Sequence, residues 1–433
     1  MALSALGTGR ARHVAARRAA ADICSKMIQM RRIDPNRFHV ATRGTSRQIN
    51  RQIALALIGS HQPISRADLA RLMKMRRGAV GLLVQELLHE RHIVEGHTGE
   101  IARGRKPTLL YINTQKGFSI AVDIRASRTF VMLADPMGQP RSDIVSMPTA
   151  RDPKRFVAAL ATRIGRLLEA HADTAVKCLG IGVVVPGMVN STTGRVIHAP
   201  TLGWHDVELR GRLASATGFP VQIENSGRAC ALAQVWEARN VASPARNLVH
   251  INVSDGVGVG LVVNGELLRG KHNIAGEFAH MPLSIDGPRC ACGAIGCWEA
   301  YISNLATLTR YFGRAPHETA AGNQPFTVID LIARARTGDG KAVAALQASA
   351  RYLGIGLGGV VNIMDPDRVF IGGEITTAWD LIESTVRTAL AERALTPAAV
   401  PTDIVIVSAE EHPRLRGAAM LVAAPTFAAP AVA

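Results

Sequence analysis

Gly276-Glu277-Phe278-Ala279-His280, nine residues, and then Cys290-Ala291-Cys292-Gly293-Ala294-Ile295-Gly296-Cys297-Trp298-Glu299 bring one imidazole and three thiols into a short segment. His280, Cys290, Cys292 and Cys297 make a complete tetrahedral set for Zn2+, with no position left open for substrate. Such a closed site is structural: the metal pins a loop and performs no chemistry. Gly293 and Gly296 let the backbone wrap so that all three sulfurs face one ion. Crowded cysteines also occur as redox clusters, but that reading leaves the histidine and the glycines without a purpose.

The same segment carries a resemblance. Gly-Glu-x-x-His followed by Cys-x-Cys-Gly-x-x-Gly-Cys-x-Glu is similar to the signature of the ROK family, which holds sugar kinases and sugar-responsive repressors. The likeness extends over roughly residues 45 to 422. One departure is Ala279, where the family usually has glycine. The resemblance implies an α/β body of the actin/hexokinase-like (ribonuclease H-like) fold, two lobes with a ligand cleft between them.

A chain of 433 residues with 47% hydrophobic content is long enough for two or three domains and a large core. No apolar run reaches membrane-spanning length. The start is rich in arginine and alanine without an apolar segment, which excludes a secretory signal. We read residues 1–43 as a flexible basic arm. Six cysteines, half of them in the cluster, fit a reducing cytoplasm. Cys24, Cys178 and Cys230 are isolated and read as small apolar residues.

Net charge is +16, and its placement is uneven. Residues 1–116 carry 21 Lys and Arg against 7 Asp and Glu, whereas residues 117–433 carry 29 against 27. Such segregation points to a polyanion-binding module joined to an electrically balanced body.

In the basic quarter, Ile49, Ile53, Leu57 and Ile58 recur at helical spacing. Pro63 breaks the chain. Ser65 with Asp68 three residues on reads as a capped start to a helix over 66–73. A turn at Lys74 and Met75 leads into a third helix that turns Val80, Leu83, Val84, Leu87 and Leu88 inward. Ile93-Val94-Glu95 and Leu109-Leu110-Tyr111-Ile112 read as a two-stranded ribbon. Three helices and a ribbon over 44–114 predict a winged helix-turn-helix for double-stranded DNA. Arg76 and Arg77 open the third helix, where they reach guanine edges or phosphates. The wing carries Arg103-Gly104-Arg105-Lys106-Pro107. Its Gly-Arg-x-Pro element is typical of the repressors this chain resembles, and it suits a narrow A·T minor groove. Helix-turn-helix folds also dock proteins, but the concentrated charge favours an operator.

From Gly117 to residue 422 strands alternate with helices. Phe118–Ile124, Phe130–Ala134, Cys178–Val185, Leu248–Ser254 and Val257–Val263 read as strands, and Phe156–Ala170 as an amphipathic helix. The tail over 423–433 is rich in alanine and proline.

Kinases of the ROK family have Asp-x-Gly-Gly-Thr at a first phosphate turn. Here Asp123-Ile124-Arg125-Ala126 has lost the paired glycines, so a side chain stands where phosphate needs open backbone. A second turn, Ser254-Asp255-Gly256-Val257-Gly258-Val259-Gly260, keeps its glycines, which a tight hairpin explains equally well. The kinases also have Glu-Asn-Asp, whose aspartate takes the proton from the sugar hydroxyl. Glu224-Asn225-Ser226 lacks that base, so the chain reads as no enzyme. The family's sugar contacts correspond to Asn225, Glu277, His280 and Glu299, all of the family's type. A further contact, usually asparagine, is Thr201. His280 can hold zinc through one nitrogen and the sugar through the other.

The resulting expectation is a transcriptional regulator, a repressor, of carbohydrate uptake or metabolism. It binds a palindromic operator as a homodimer or dimer of dimers and responds to a sugar or sugar-phosphate effector. The alternatives are an ATP-dependent, glucokinase-like sugar kinase and a regulator controlled by a protein partner.

Overall fold

The computed structural model describes residues 43–98, 108–171, 178–237, 246–314 and 326–427. Arg103, Arg105 and Lys106 of the expected wing, Cys24 and nearly all of the basic arm, and the end of the tail lie outside the described residues.

The N-terminal module runs α1 (Arg43–His61), β1 (Ile64–Ser65), α2 (Arg66–Leu72), α3 (Arg77–His89), β2 (Ile93–Thr98) and β3 (Thr108–Ile112). Ser65 caps α2: its hydroxyl accepts from the Asp68 amide at 3.1 Å and donates to the Asp68 carboxylate at 2.7 Å. Lys74 takes a left-handed φ of 52° in the turn. Val80, Leu83, Val84 and Leu87 are buried on α3, while Leu88 is only partly covered. The expected two-stranded ribbon has a third member. Ile64 and Ser65 pair with Leu110 and Leu109, giving the order β1-β3-β2. Two residues, the second of them the helix cap itself, have no periodicity to reveal them.

The first lobe of the body contains β4 (Phe118–Ile124), β5 (Arg128–Ala134), β6 (Val145–Pro148), α4 (Pro153–Glu169), β7 (Cys178–Val185), β8 (Met188–Asn190), β9 (Arg195–Ala199), β10 (Trp204–Glu208), α5 (Leu209–Thr217), β11 (Val221–Asn225) and α6 (Ser226–Glu237). The second contains β12 (Leu248–Val253), β13 (Val257–Val263), β14 (Glu266–Leu267), α7 (Glu299–Ile302), α8 (Asn304–Phe312), α9 (Val328–Arg336), α10 (Gly340–Met364), β15 (Arg368–Gly372), α11 (Trp379–Ala391) and β16 (Ile404–Ile406). Then α12 (Pro413–Phe427) returns to pack on β4, β7 and α6. Gly182 permits that return, because a Cβ there would strike the backbone of Ala418.

Each lobe holds one five-stranded sheet, and both follow the same wiring. In the order β11-β7-β4-β5-β6 the first three strands are parallel and the last two antiparallel. The order β16-β15-β12-β13-β14 repeats this strand for strand. Separate apolar cores fill the lobes, one around Phe118, Phe156 and Trp204, the other around Trp298, Leu353 and Ile382. A third cluster joins the N-terminal module to the first lobe: Leu55, Ile58, Val84 and Leu110 share it with Met132, Leu415 and Met420. Gln62 bridges the same seam, accepting from the Ile112 amide at 2.8 Å and reaching the Met137 sulfur at 3.8 Å.

Candidate functional site

The cysteine loop forms from backbone up. Gly293 and Gly296 have φ of 95° and 74°, and a side chain on Gly296 would collide with the Ser284 carbonyl. Hydrogen bonds from Cys290 N to Ala294 O and from Gly293 N to Cys290 O close the turn. Trp298, fully buried, seats its ring against Gly356 of α10 and donates its indole N–H to Tyr352 O at 2.9 Å. The loop is therefore anchored to the second lobe's core.

Ligand atoms of His280, Cys290, Cys292 and Cys297 all lie within 4.8 Å of one another. The Cys292 and Cys297 sulfurs are 3.7 Å apart, and Cys290 Sγ is 3.7 Å from His280 Nδ1. Two thiolates bound tetrahedrally at zinc distances sit about 3.8 Å apart, so the donor set fits the ion in chemistry and the Cys292–Cys297 pair fits it in spacing. Burial, with Glu299 adding, pushes the Cys290 thiol up, and a divalent cation at the centre would reverse this. Because Nδ1 faces the sulfurs, Nε2 of His280 faces Glu277, whose Oε2 is 3.8 Å away.

A cleft opens beside this loop. Asn225, Glu277, His280 and Glu299 all line it, together with Thr201, Ser226, Asp255, Arg125 and Arg414. The four residues expected to hold a polyol thus converge. Their free valences are fewer than the sequence suggested. Asn225 caps α6, its Oδ1 accepting from Gly227 N at 2.8 Å and Arg228 N at 3.2 Å, while its Nδ2 donates to Gly187 O at 2.7 Å. One amide hydrogen remains for a ligand. Glu299 accepts from Val257 N at 2.8 Å, and its other oxygen lies 3.2 Å from Cys290 Sγ. Burial raises the Glu277 carboxyl above the usual carboxylate range.

Both phosphate turns are occupied by protein. Arg125 fills the first: its Nε donates to Asp123 at 2.9 Å, its Nη1 lies 3.5 Å from Glu374, and its guanidinium covers the Phe130 ring. Arg414 closes Asp123 from the other side at 2.7 Å. In the second turn the Val257 amide is taken by Glu299. The glycines there serve packing, since a Cβ on Gly260 would strike Gly227 and Ala231 of α6. Ser226, nearly buried, stands at the start of α6 facing the cleft.

A buried ionic hub behind Asn225 was not anticipated. Glu224, fully buried, bonds Arg228 at 2.7 Å and Arg269 at 3.1 Å. Arg228 also donates to Asn273 O and Val189 O, so its charge is paired and each guanidinium nitrogen has a partner. The i, i+4 spacing of Glu224 and Arg228 was the available signal, but it is set across a strand-to-helix junction, where helical spacing does not hold.

Arg76 and Arg77 are exposed at the head of α3, far along the chain from the cleft. No described helix is long and apolar enough to cross a membrane.

Two lobes on repeated five-stranded sheets, with a polar cleft between them and a cysteine loop at its rim, define an actin/hexokinase-like fold. The chain belongs to the ROK family, whose sequence pattern matches residues 119–424. A putative xylose repressor of Caldicellulosiruptor sp. (strain Rt8B.4) is 30% identical over 364 residues, covering 80% of this chain and 88% of that protein. A glucokinase of Streptomyces coelicolor is 30% identical over 282 residues, covering 63% of this chain and 86% of the enzyme. Among solved structures, a ROK family transcriptional regulator described as a homologue of the Escherichia coli Mlc protein superposes with a TM-score of 0.71. It is 27% identical and covers 88% of this chain and 97% of its own.

Proposed function

We propose that this protein is a sugar-responsive transcriptional repressor of carbohydrate genes that binds its ligand without turning it over. The observation that carries the reading is the occupation of the first phosphate turn by Arg125, held between Asp123 and Glu374, beside a cleft that keeps Asn225, Glu277, His280 and Glu299. A kinase needs that turn open and a carboxylate where Ser226 stands. A polyol sensor needs only the remaining groups.

Residues 44–114 serve as a winged helix-turn-helix, with Arg76 and Arg77 at the duplex and Arg103, Arg105 and Lys106 on the wing. The body over 117–422 senses a sugar or sugar phosphate. A homodimer presents two such modules to a palindromic operator. Zn2+ on His280, Cys290, Cys292 and Cys297 holds the loop, and the free nitrogen of His280 meets the sugar. Sugar binding shifts the lobes between two states of different operator affinity. The span of the likeness to the xylose repressor supports this reading, since it runs beyond the body into the basic quarter.

Mobility-shift binding to upstream DNA of neighbouring carbohydrate genes, with and without a panel of pentoses, hexoses and their phosphates, tests it. One sugar is expected to release the duplex. The glucokinase relative keeps an enzymatic reading in view, and sugar-dependent ADP release above about 1 s⁻¹ would favour it.

A further inference from the structure

We propose that Leu82 and Gln85, on the outward face of α3, read an A·T base pair in the major groove, Leu82 against the thymine C5 methyl and Gln85 on the adenine edge. The inference rests on the DNA-binding reading above and deepens it by naming the base class recognised.

The face is built for close approach. Val80, Leu83, Val84 and Leu87 turn into the core, which leaves Gly78, Leu82 and Gln85 outward at helical spacing. Leu82 is 63% exposed while its neighbour Leu83 is 6% exposed, so the core makes no use of Leu82. A Cβ on Gly78 or Gly81 would meet nothing within 4 Å. The glycines are therefore not required by packing, and their effect is to lower the surface around Leu82.

Charge supports the same occupant. Arg71, Lys74, Arg76 and Arg77 are exposed and lie at or before the head of α3. Gly78, Gly81, Leu82 and Gln85 form an uncharged centre beyond them. Duplex DNA has this step in complement, a charged phosphate backbone beside neutral base edges. A leucine cannot hydrogen-bond a base, and the apolar feature of the major groove is the thymine methyl. Glutamine offers an acceptor and a donor that match adenine N6–H and N7. Leu82 and Gln85 are separated by about 4.5 Å along the helix axis. That is close to one base-pair step of about 3.4 Å, so both reach the same pair or adjacent pairs.

The test uses full-length protein and the duplex it selects from a random-sequence library. Each thymine of one half-site is replaced in turn by deoxyuridine, which removes the C5 methyl alone. Wild type is expected to lose about fourfold in affinity at one position per half-site, the value of burying one methyl group. Leu82→Ala is expected to be indifferent to that replacement, and Gln85→Ala to lose about tenfold of its discrimination for adenine at the same or the next pair. Alanine is a strong helix former at an exposed site, so both variants should melt like wild type. Equal sensitivity of wild type and Leu82→Ala to deoxyuridine would overturn the proposal, as would no sensitive position. A change of oligomeric state in Leu82→Ala with an unchanged deoxyuridine response would also overturn it and assign the leucine to a protein contact. Failure of wild type to select any sequence would instead remove the DNA-binding reading itself.

Discussion

Arg125 of the first lobe reaches across to Glu374 of the second, 3.5 Å from guanidinium to carboxylate, while its Nε holds Asp123. The two contacts differ in depth. Asp123 is buried, whereas Glu374 is a quarter exposed. Arg125→Ala should lower unfolding free energy by about 1–3 kcal/mol, because a buried carboxylate loses one of its two cations. Glu374→Gln should cost less than about 1 kcal/mol. Urea denaturation at constant m-value compares them, and equal costs would contradict the assigned depths.

Ser226→Asp restores a carboxylate at the position of the missing base. It should still give no sugar-dependent ADP release above about 1 s⁻¹, because Arg125 and Glu299 continue to fill the phosphate turns. Turnover in the single variant would show that the missing aspartate alone silences the cleft.

Cys292→Ser removes one sulfur from the tetrahedral set. Metal content measured by inductively coupled plasma spectrometry should fall from one zinc per chain toward zero. Loss of about 2 kcal/mol would lower the Tm of a body this size by about 3 °C. Full retention of zinc would refute the ligand assignment.

His250 lies fully buried on β12, beside Phe370, with neither ring nitrogen hydrogen-bonded among the described residues. Burial pushes its pKa down to about 3. The unfolded imidazole takes up a proton below about pH 6.5, whereas the folded one stays neutral until about pH 3. Stability from this site is therefore complete above about pH 6.5 and declines by about 1.4 kcal/mol for each unit of acidification toward pH 3. His250→Leu should flatten the stability profile between pH 6 and pH 4 by about one proton, and an unchanged slope would contradict it.

A chain beginning at Gly117 lacks the basic module and should lose operator affinity in a mobility-shift assay. It should also melt earlier than the intact protein, since Met132, Leu415 and Met420 lose the apolar partners Leu55, Ile58 and Leu110. Retained operator affinity would overturn the division between DNA-binding module and sensor.

Local features were legible before the fold was known. The clustering of His280 with the three cysteines, the Ser65 cap and the inward turn of Val80, Leu83, Val84 and Leu87 each follow from chemistry within a few positions. Relationships across the chain were hidden. The matching wiring of the two sheets depends on pairings such as β12 with β15, more than a hundred residues apart. The capping role of Asn225 depends on where α6 begins, and its family likeness pointed only to the ligand. Glu224 and Arg228 look like surface charges in the sequence, and only the packing of β8 and the loop at Asn273 buries them.

The cluster linking Ile58, Met132 and Met420 has a mechanical consequence. Ile58, Val84 and Leu110 pack in one cluster with Met132 and Met420, so in the regulator proposed above the DNA-binding module would follow the first lobe as one arm. In a dimer built from such arms, a small rotation of each lobe is magnified at the tips, like calipers set at the hinge. Discrimination between bound and released duplex then depends on how far apart the tips are held, and the chemistry of the grip itself need not change.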